Sequence, residues 1–458
     1  MQYTPVQKTH LGGEKMKRFI LEKSDDEFYT SHSGLALAGL CINRYSNLSK
    51  VIGRAMEDSG NVISHADLLR SYLGLLCLGK SDYQAITAMR EDDYFMNSLG
   101  ISAVPSAERL RQRLDEKAEK YLQAVRKCSV AMLKKGKAHL TPLDTGHIPL
   151  DADVFPMDNS GTKKEKVSYT YKGHDGYAPI AAYLGLEGWC LEAELRPGSQ
   201  HSQKGFIPFM ESVLRRARTL TGKKLPVRPD SGHDAPETGI FLRNAEKVSY
   251  IIKWNPRQEN TAELYKRAFA EGKVSEPRKG KRIALLTVRN HQAHEGRTYV
   301  FTKVVRVTER TIDKHGQLLL HPDITVEGWW TNPDLPEEKI ISLYRNHALC
   351  EQFHSEFKSD LDLERLPSGK FATNALVMAL GGFAYNILRF IGQLGLLGDK
   401  APVRHPAKRR RIRTVIQELI CLAARLIRSG RRLRLRFSRH CAAFQAFSDV
   451  YGRLLAGT

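Results

Sequence analysis

The middle of this 458-residue chain changes its periodicity, and that change limits what it can fold into. His147–Phe155 alternates apolar and polar residues, as a strand with one buried face must. Lys166–Tyr171 and Tyr177–Leu184 are two further β-rich runs, joined through Gly173–Gly176. Phe206–Leu220 then takes a helical period, and Leu225–Val227 is a short apolar strand leading to Asp230. A helix over Pro236–Val248 and a strand at Tyr250–Trp254 follow. Three neighbouring strands and then alternating helices and strands predict an α/β fold around a mixed sheet. The β-rich segments Arg282–Val288, Tyr299–Val307 and Ile324–Trp330 read as an insertion, with Trp329 and Trp330 as core aromatics or, alternatively, as a stacking surface for a flipped base. Pro336 opens a helix predicted to run to about Leu361.

The flanks read differently. Residues 1–30 lack periodicity and are expected to be a flexible arm, whereas 31–140 is helical. Ser106 is placed to cap a helix that carries Arg109, Arg111 and Arg113 on its surface. With the short helix Tyr83–Arg90 before it, this pattern fits a helix-turn-helix for DNA. Between Arg404 and Arg439 lie thirteen Lys or Arg against Glu418 alone, so this stretch carries most of a net +21. Ile412, Val415, Ile416, Leu419, Leu422, Ala423, Leu426 and Ile427 fall at helical spacing, predicting an amphipathic helix with an arginine-rich face. Arg409, Arg410, Arg411 and Arg413 are its first candidates for phosphate contact, since such a charge surplus calls for a polyanion. The expected units are 1–30, 31–140, a core over 141–254 and 332–400, the insertion 255–331, and a basic helical tail 401–458.

Seven scattered cysteines without a C-x-x-C pair argue against a disulfide framework or a zinc ribbon, and fit a reducing compartment. The most apolar run, Ala375–Tyr385, is too short to cross a bilayer and reads as a buried helix, so no membrane is expected and the cytoplasm is the predicted location.

Acids stand where chemistry could use them. Asp151 and Asp153 lie two apart on one strand and so share a face; Asp230 follows another strand; Glu351 sits in the helix after Pro336. Tyr344, His347, Glu351 and Lys358 lie three, four and seven residues apart and so share one face of that helix. Hard carboxylate oxygens in a basic protein suit Mg²⁺ or Mn²⁺ and phosphoryl transfer.

The stretches LDADVFPMDNSGTKKEKVSYTYKGHDGYAPIAAYLG, ELRPGSQHSQKG, RPDSGHD and YRNHALCEQFHSEFKSDLDLERLPSGKFATNA resemble the transposases of IS1380-type insertion sequences, DDE enzymes related to the IS4 group. The likeness runs from about Leu143 to Tyr451. It implies an RNase H-like catalytic core and a catalytic triad of Asp153 (with Asp151 the alternative), Asp230 and Glu351, holding two Mg²⁺ or Mn²⁺ ions. It also implies cut-and-paste transposition by a homodimer on terminal inverted repeats and target DNA, on the nucleoid of a bacterial cell. Related families carry a Tyr-x2-Arg-x3-Glu-x6-Lys signature whose Tyr, Arg and Lys grip phosphates. Tyr344, Glu351 and Lys358 match it, whereas His347 occupies the Arg position and Pro229 precedes Asp230. The alternatives are an inactive DNA-binding relic and a nuclease without strand transfer.

Overall fold

The computed structural model describes residues 20–56, 62–257, 259–346, 349–403 and 405–457. After strand β1 (Phe28–Thr30) come helices α1 (Leu35–Leu40), α2 (Leu48–Ala55), α3 (His65–Cys77), α4 (Asp93–Leu99) and the 29-residue α5 (Ala107–Lys135). Ser64, Asp92 and Ser106 cap α3, α4 and α5, each accepting a backbone N–H three residues on. The start of α5 exposes Arg109 and Arg111 as its spacing predicts, but not Arg113. Arg113 is buried, its guanidinium donating to the His65 ring (2.8 Å) and the Ile63 carbonyl. Arg111 pairs with Glu108, and Arg109 is exposed.

The expected strands of the core form as β2 (Leu150–Val154), β6 (Ile180–Leu184), β7 (Trp189–Glu194), β8 (Leu225–Pro229) and β9 (Val248–Lys253). Between β2 and β6, the pieces β3 (Met157–Asp158), β4 (Ser168–Tyr169) and β5 (Asp175–Tyr177) make a small separate sheet. Helices α6 (Phe206–Leu220) and α7 (Pro236–Asn244) connect β7 to β8 and β8 to β9. The order is β7-β6-β2-β8-β9; β2, β6 and β7 run antiparallel, and β2, β8 and β9 parallel. Pro229 forms the last pair of β8, opposite Ala152, so its missing N–H falls where the ladder ends.

The insertion begins with a helix that the sequence reading did not anticipate, α8 (Thr261–Glu271), capped by Asn260. Strands β10 (Lys273–Arg278), β11 (Lys281–His294), β12 (Arg297–Ile312) and β13 (Leu318–Thr331) follow. The end of β13 pairs with β9, Trp330 opposite Ile252, so insertion and core share one nine-stranded sheet. Trp329 and Trp330 are buried there, and the Lys303 ammonium lies 4.9 Å from the Trp330 ring centre.

Beyond the sheet, the single helix expected from Pro336 is two, α9 (Glu337–Arg345) and α10 (Leu349–Ser355), followed by a wide π-helical turn, Glu356–Asp360. Helix α11 (Phe371–Gly395) is long and apolar enough to cross a membrane, but its apolar window is 94% buried in this fold. Its polar residues have internal partners. Asn386 accepts the Cys190 N–H (2.9 Å) and donates to the Cys190 carbonyl and the Ser129 hydroxyl, fastening α11 to β7 and α5.

The basic tail overturns the helical expectation. Of the helix expected over Ile412–Ile427, α12 (Ile412–Val415) and a π-helical turn to Ile420 form; β14 (Ala424–Ser429) and β15 (Arg432–Phe437) then make a hairpin, and helix α13 (Phe444–Ala456) follows. Arg432-Leu-Arg-Leu-Arg-Phe437 has period two, and Gly430 at φ +58° opens the two-residue loop that a tight hairpin needs. β14 also pairs with β1, so part of the expected arm is a strand. Arg409, Arg410 and Arg411 are half-buried and held by internal partners, whereas Arg413 is exposed. Arg409 pairs with Glu356 (2.8 Å), Arg411 and Arg413 with Asp360, and Arg410 donates to the Leu396 and Val403 carbonyls. Glu356 is fully buried and also meets Arg389.

A buried carboxylate stripped of one partner is strongly destabilising, by about 3–5 kcal/mol. Arg389→Met should therefore lower unfolding stability by that order in urea titration; a loss under about 1 kcal/mol would contradict the network.

Candidate active site

Strand alternation turns Asp151 and Asp153 to one face, and the partner strand then separates their fates. Asp151 lies opposite Arg228 of β8, with Nε–Oδ1 and Nη2–Oδ2 both 2.7 Å, and both residues are buried. Arg228 spends its remaining nitrogen on the Leu343 carbonyl in α9 (2.5 Å). Asp151 is thereby consumed as a structural counter-ion. Asp153 stands two residues nearer the C-terminal end of β2 and is half-buried, its Oδ1 accepting the Val154 N–H (2.7 Å).

One step past the Ala152–Pro229 pair, the chain reaches Asp230, which caps a 3₁₀ turn, Ser231–His233, by accepting the Gly232 N–H. The Asp230 side chain is 42% exposed. Asp153 and Asp230 thus flank each other at the carboxyl ends of two parallel strands. Their joint field is felt by three neighbours. Burial, and then the charges of Asp153 and Asp230, push the Tyr171 phenol up to about 12. The same causes, burial first, raise the Tyr344 phenol and the Cys350 thiol far above their ordinary ranges. All three stay neutral at physiological pH.

Helices α9 and α10 border this pair. Tyr344 and Cys350 are six residues apart, which on one straight helix would separate them by about 120°. Tyr344 on α9 and Cys350 on α10 nevertheless both feel the same two carboxylates. His347 lies outside the described residues. Glu351 follows Cys350 and is exposed; among the described residues, no hydrogen bond or ion pair holds its carboxylate, and it is not gathered into the Asp153 cluster. Lys358 donates to the Pro156 carbonyl (3.0 Å) and pairs with Glu364 (3.0 Å), just beyond β2. Two neighbouring carboxylates, each partly open to solvent, form a donor set that fits a hard divalent cation.

The family model described as "Transposase DDE domain group 1" matches residues 18–456. The chain belongs to the DDE transposase family, group 1. Family members use divalent metal ions, in keeping with the Asp153–Asp230 pair. No curated protein matches the chain. Among solved structures, a piggyBac transposase synaptic complex with hairpin DNA is similar with a TM-score of 0.41 and 12% identity, over 85% of this chain and 79% of that one.

Around the acids of this DDE-family chain are groups that sequence reasoning missed: Arg228, Tyr171, Cys350 and His354. The four-residue interval between Cys350 and His354 was a usable signal, because it puts both on one helical face. Arg228 carried none, since its partner lies 77 residues away.

His233 closes the floor beneath Asp230. It is fully buried, stacks on Phe206 (3.9 Å between centres), and approaches Asp230 Oδ1 no closer than 3.7 Å. Burial, with Arg196 and His201 nearby, pushes its pKa down from 6.5 to about 3, so the folded ring is neutral. The unfolded chain binds a proton there below about pH 6.5, and the folded chain does not. The stabilisation is complete above that pH and drains away as pH falls toward 3, at about 1.4 kcal/mol per unit. Between pH 7 and 5, wild-type stability against urea should therefore fall more steeply than that of His233→Phe; parallel slopes would show that the ring is not held neutral.

Proposed function

We propose that the chain is the transposase of an IS1380-type insertion sequence, which binds the element's terminal inverted repeats, cuts there and joins the freed ends to target DNA. The observation that carries this reading is the adjacency of Asp153 and Asp230 at the ends of parallel β2 and β8, in a chain of the DDE family. The order β7-β6-β2-β8-β9, with its antiparallel half and its parallel half, supports an RNase H-like core. The Arg228 pair favours Asp153 over Asp151 as the first catalytic acid.

Asp153, Asp230 and Glu351 would together hold a pair of Mg²⁺ or Mn²⁺ ions, with Glu351 turning in from α10. Bound there, the ions supply Lewis acidity at the scissile phosphate and lower the pKa of a water. The remaining work falls to the chain. Tyr171 and Tyr344, kept as neutral phenols, can donate O–H to phosphate oxygens without altering the local charge. Lys358 holds a positive charge beside Pro156, on the strand's path past β2. Hydrolysis leaves a 3′-hydroxyl, which the same pocket must align in line with a target phosphodiester.

The hairpin, more than Arg409–Arg411, offers an open cationic surface. Arg432, Arg434 and Arg436 project from one face of β15 into solvent, while Leu435 and Phe437 turn to the body of the protein. Three exposed guanidiniums at alternate positions suit phosphates, which carry no sequence information. Pairing two element ends calls for two copies of the chain on DNA.

Purified protein with end-containing DNA and Mg²⁺ should yield both nicked and joined products. Asp153→Ala, Asp230→Ala and Glu351→Ala should each lower cutting by about 100-fold or more, as loss of several kcal/mol of metal assistance implies. Asp151→Asn should instead destabilise the fold. Wild-type cutting by Asp153→Ala overturns the assignment, and nicks without joined products reduce the activity to that of a nuclease. Replacing Arg432, Arg434 and Arg436 together by Ala should flatten the slope of log binding constant against log salt by roughly 2.7, at about 0.9 per lost phosphate contact.

A further inference from the structure

Beside the acidic pair lies a group of different donor chemistry. Cys350 and His354 stand one turn apart on α10, both buried, with Sγ and Nε2 3.5 Å apart. Asp153 reaches them from β2, and one ligand atom from each of the three residues lies within 4.8 Å of the others. We propose that Asp153, Cys350 and His354 form a binding site for a thiophilic divalent cation such as Zn²⁺, and that its occupancy withdraws Asp153 from catalysis.

The geometry needs little adjustment. Zinc bonds of about 2.3 Å to sulfur and 2.0–2.1 Å to nitrogen, at a tetrahedral angle, set the S–N edge at about 3.6 Å. The observed 3.5 Å is that edge. Both ligands are fixed before any metal arrives: they share a helical face, and the His354 ring is stacked on Phe155 (4.2 Å between centres, 19°). Three protein ligands leave the fourth tetrahedral position to a water. One sulfur, one nitrogen and one oxygen select Zn²⁺, Co²⁺ or Cd²⁺, and serve poorly for Mg²⁺, which requires near-octahedral oxygen. On binding, the Cys350 sulfur bonds the metal and its proton passes to water. An Asp153 oxygen committed to this centre is lost to the Asp230 side, so zinc would compete with the Mg²⁺ that supports cutting. This inhibitory consequence rests on the catalytic role proposed for Asp153; the binding itself does not.

The test uses the full chain carrying Cys421→Ser and Cys441→Ser, which removes the two cysteines that are not buried. Titration with Co²⁺ should give, at one equivalent, a thiolate charge-transfer band and the visible bands of a tetrahedral ion. Cys350→Ser should abolish the thiolate band, and His354→Gln should weaken affinity by at least about tenfold, with circular dichroism confirming that both remain folded. Asp230→Asn should leave the spectrum intact. Absence of the band in the parent, or its persistence in Cys350→Ser, overturns the site. In the second arm, Zn²⁺ should inhibit Mg²⁺-supported nicking by the parent, and Cys350→Ser should need at least about tenfold more Zn²⁺ for the same inhibition. Equal sensitivity overturns the inhibitory role. Should the parent not nick at all, the catalytic reading fails, while the Co²⁺ spectra still decide the metal site.

Discussion

The buried pair between Asp151 and Arg228 is the constraint on which the rest of the site depends. It joins β2 to β8 two residue pairs before the acids, and through the Leu343 carbonyl it also draws in α9. A doubly bonded guanidinium permits little slip between strands, so the register that brings Asp230 beside Asp153 is held from below. Such a pair contributes little net stability, because removing two charges from water offsets most of their attraction. What it contributes here is alignment. The charge on Asp151 is cancelled locally, leaving the next acid along the strand partly open to solvent.

Much of the core was legible, because strands buried on one face advertise a period of two. Leu150–Val154, Ile180–Leu184 and Val248–Lys253 formed close to where alternation and apolar runs indicated them. The basic tail was misread for a related reason. Between Ile412 and Ile427 the apolar residues happen to satisfy a helical spacing, and the alternating Arg432–Phe437 was absorbed into that pattern instead of being read separately. Helix α8 was missed because it is short and lies among β-rich sequence.

The site was legible in outline only. Asp153 and Asp230 could be nominated from strand ends, but the pairing that sets Asp151 apart from Asp153 depends on Arg228 across the sheet, which no local pattern announces. The arginines show the same difficulty from the other side. A run such as Arg409-Arg-Arg411 has the composition of an exposed nucleic-acid contact, yet Glu356 and Asp360, contributed by a turn some fifty residues earlier, neutralise it internally. Charge in sequence becomes charge on a surface only after its counter-ions are known.

The short strand β1 has a consequence of its own. It hydrogen-bonds to β14, 394–398 residues later in the chain, and the nearby Arg44 and Tyr45 donate to carbonyls of Leu455 and Leu454. At about 5–20 residues per second of synthesis, the early helices wait on the order of 20–80 s for the partner that seals them. Until then their edge stays open, and a polypeptide released early by the ribosome would lack the clasp altogether. Closure of the early helices is thus tied to synthesis of β14 and α13.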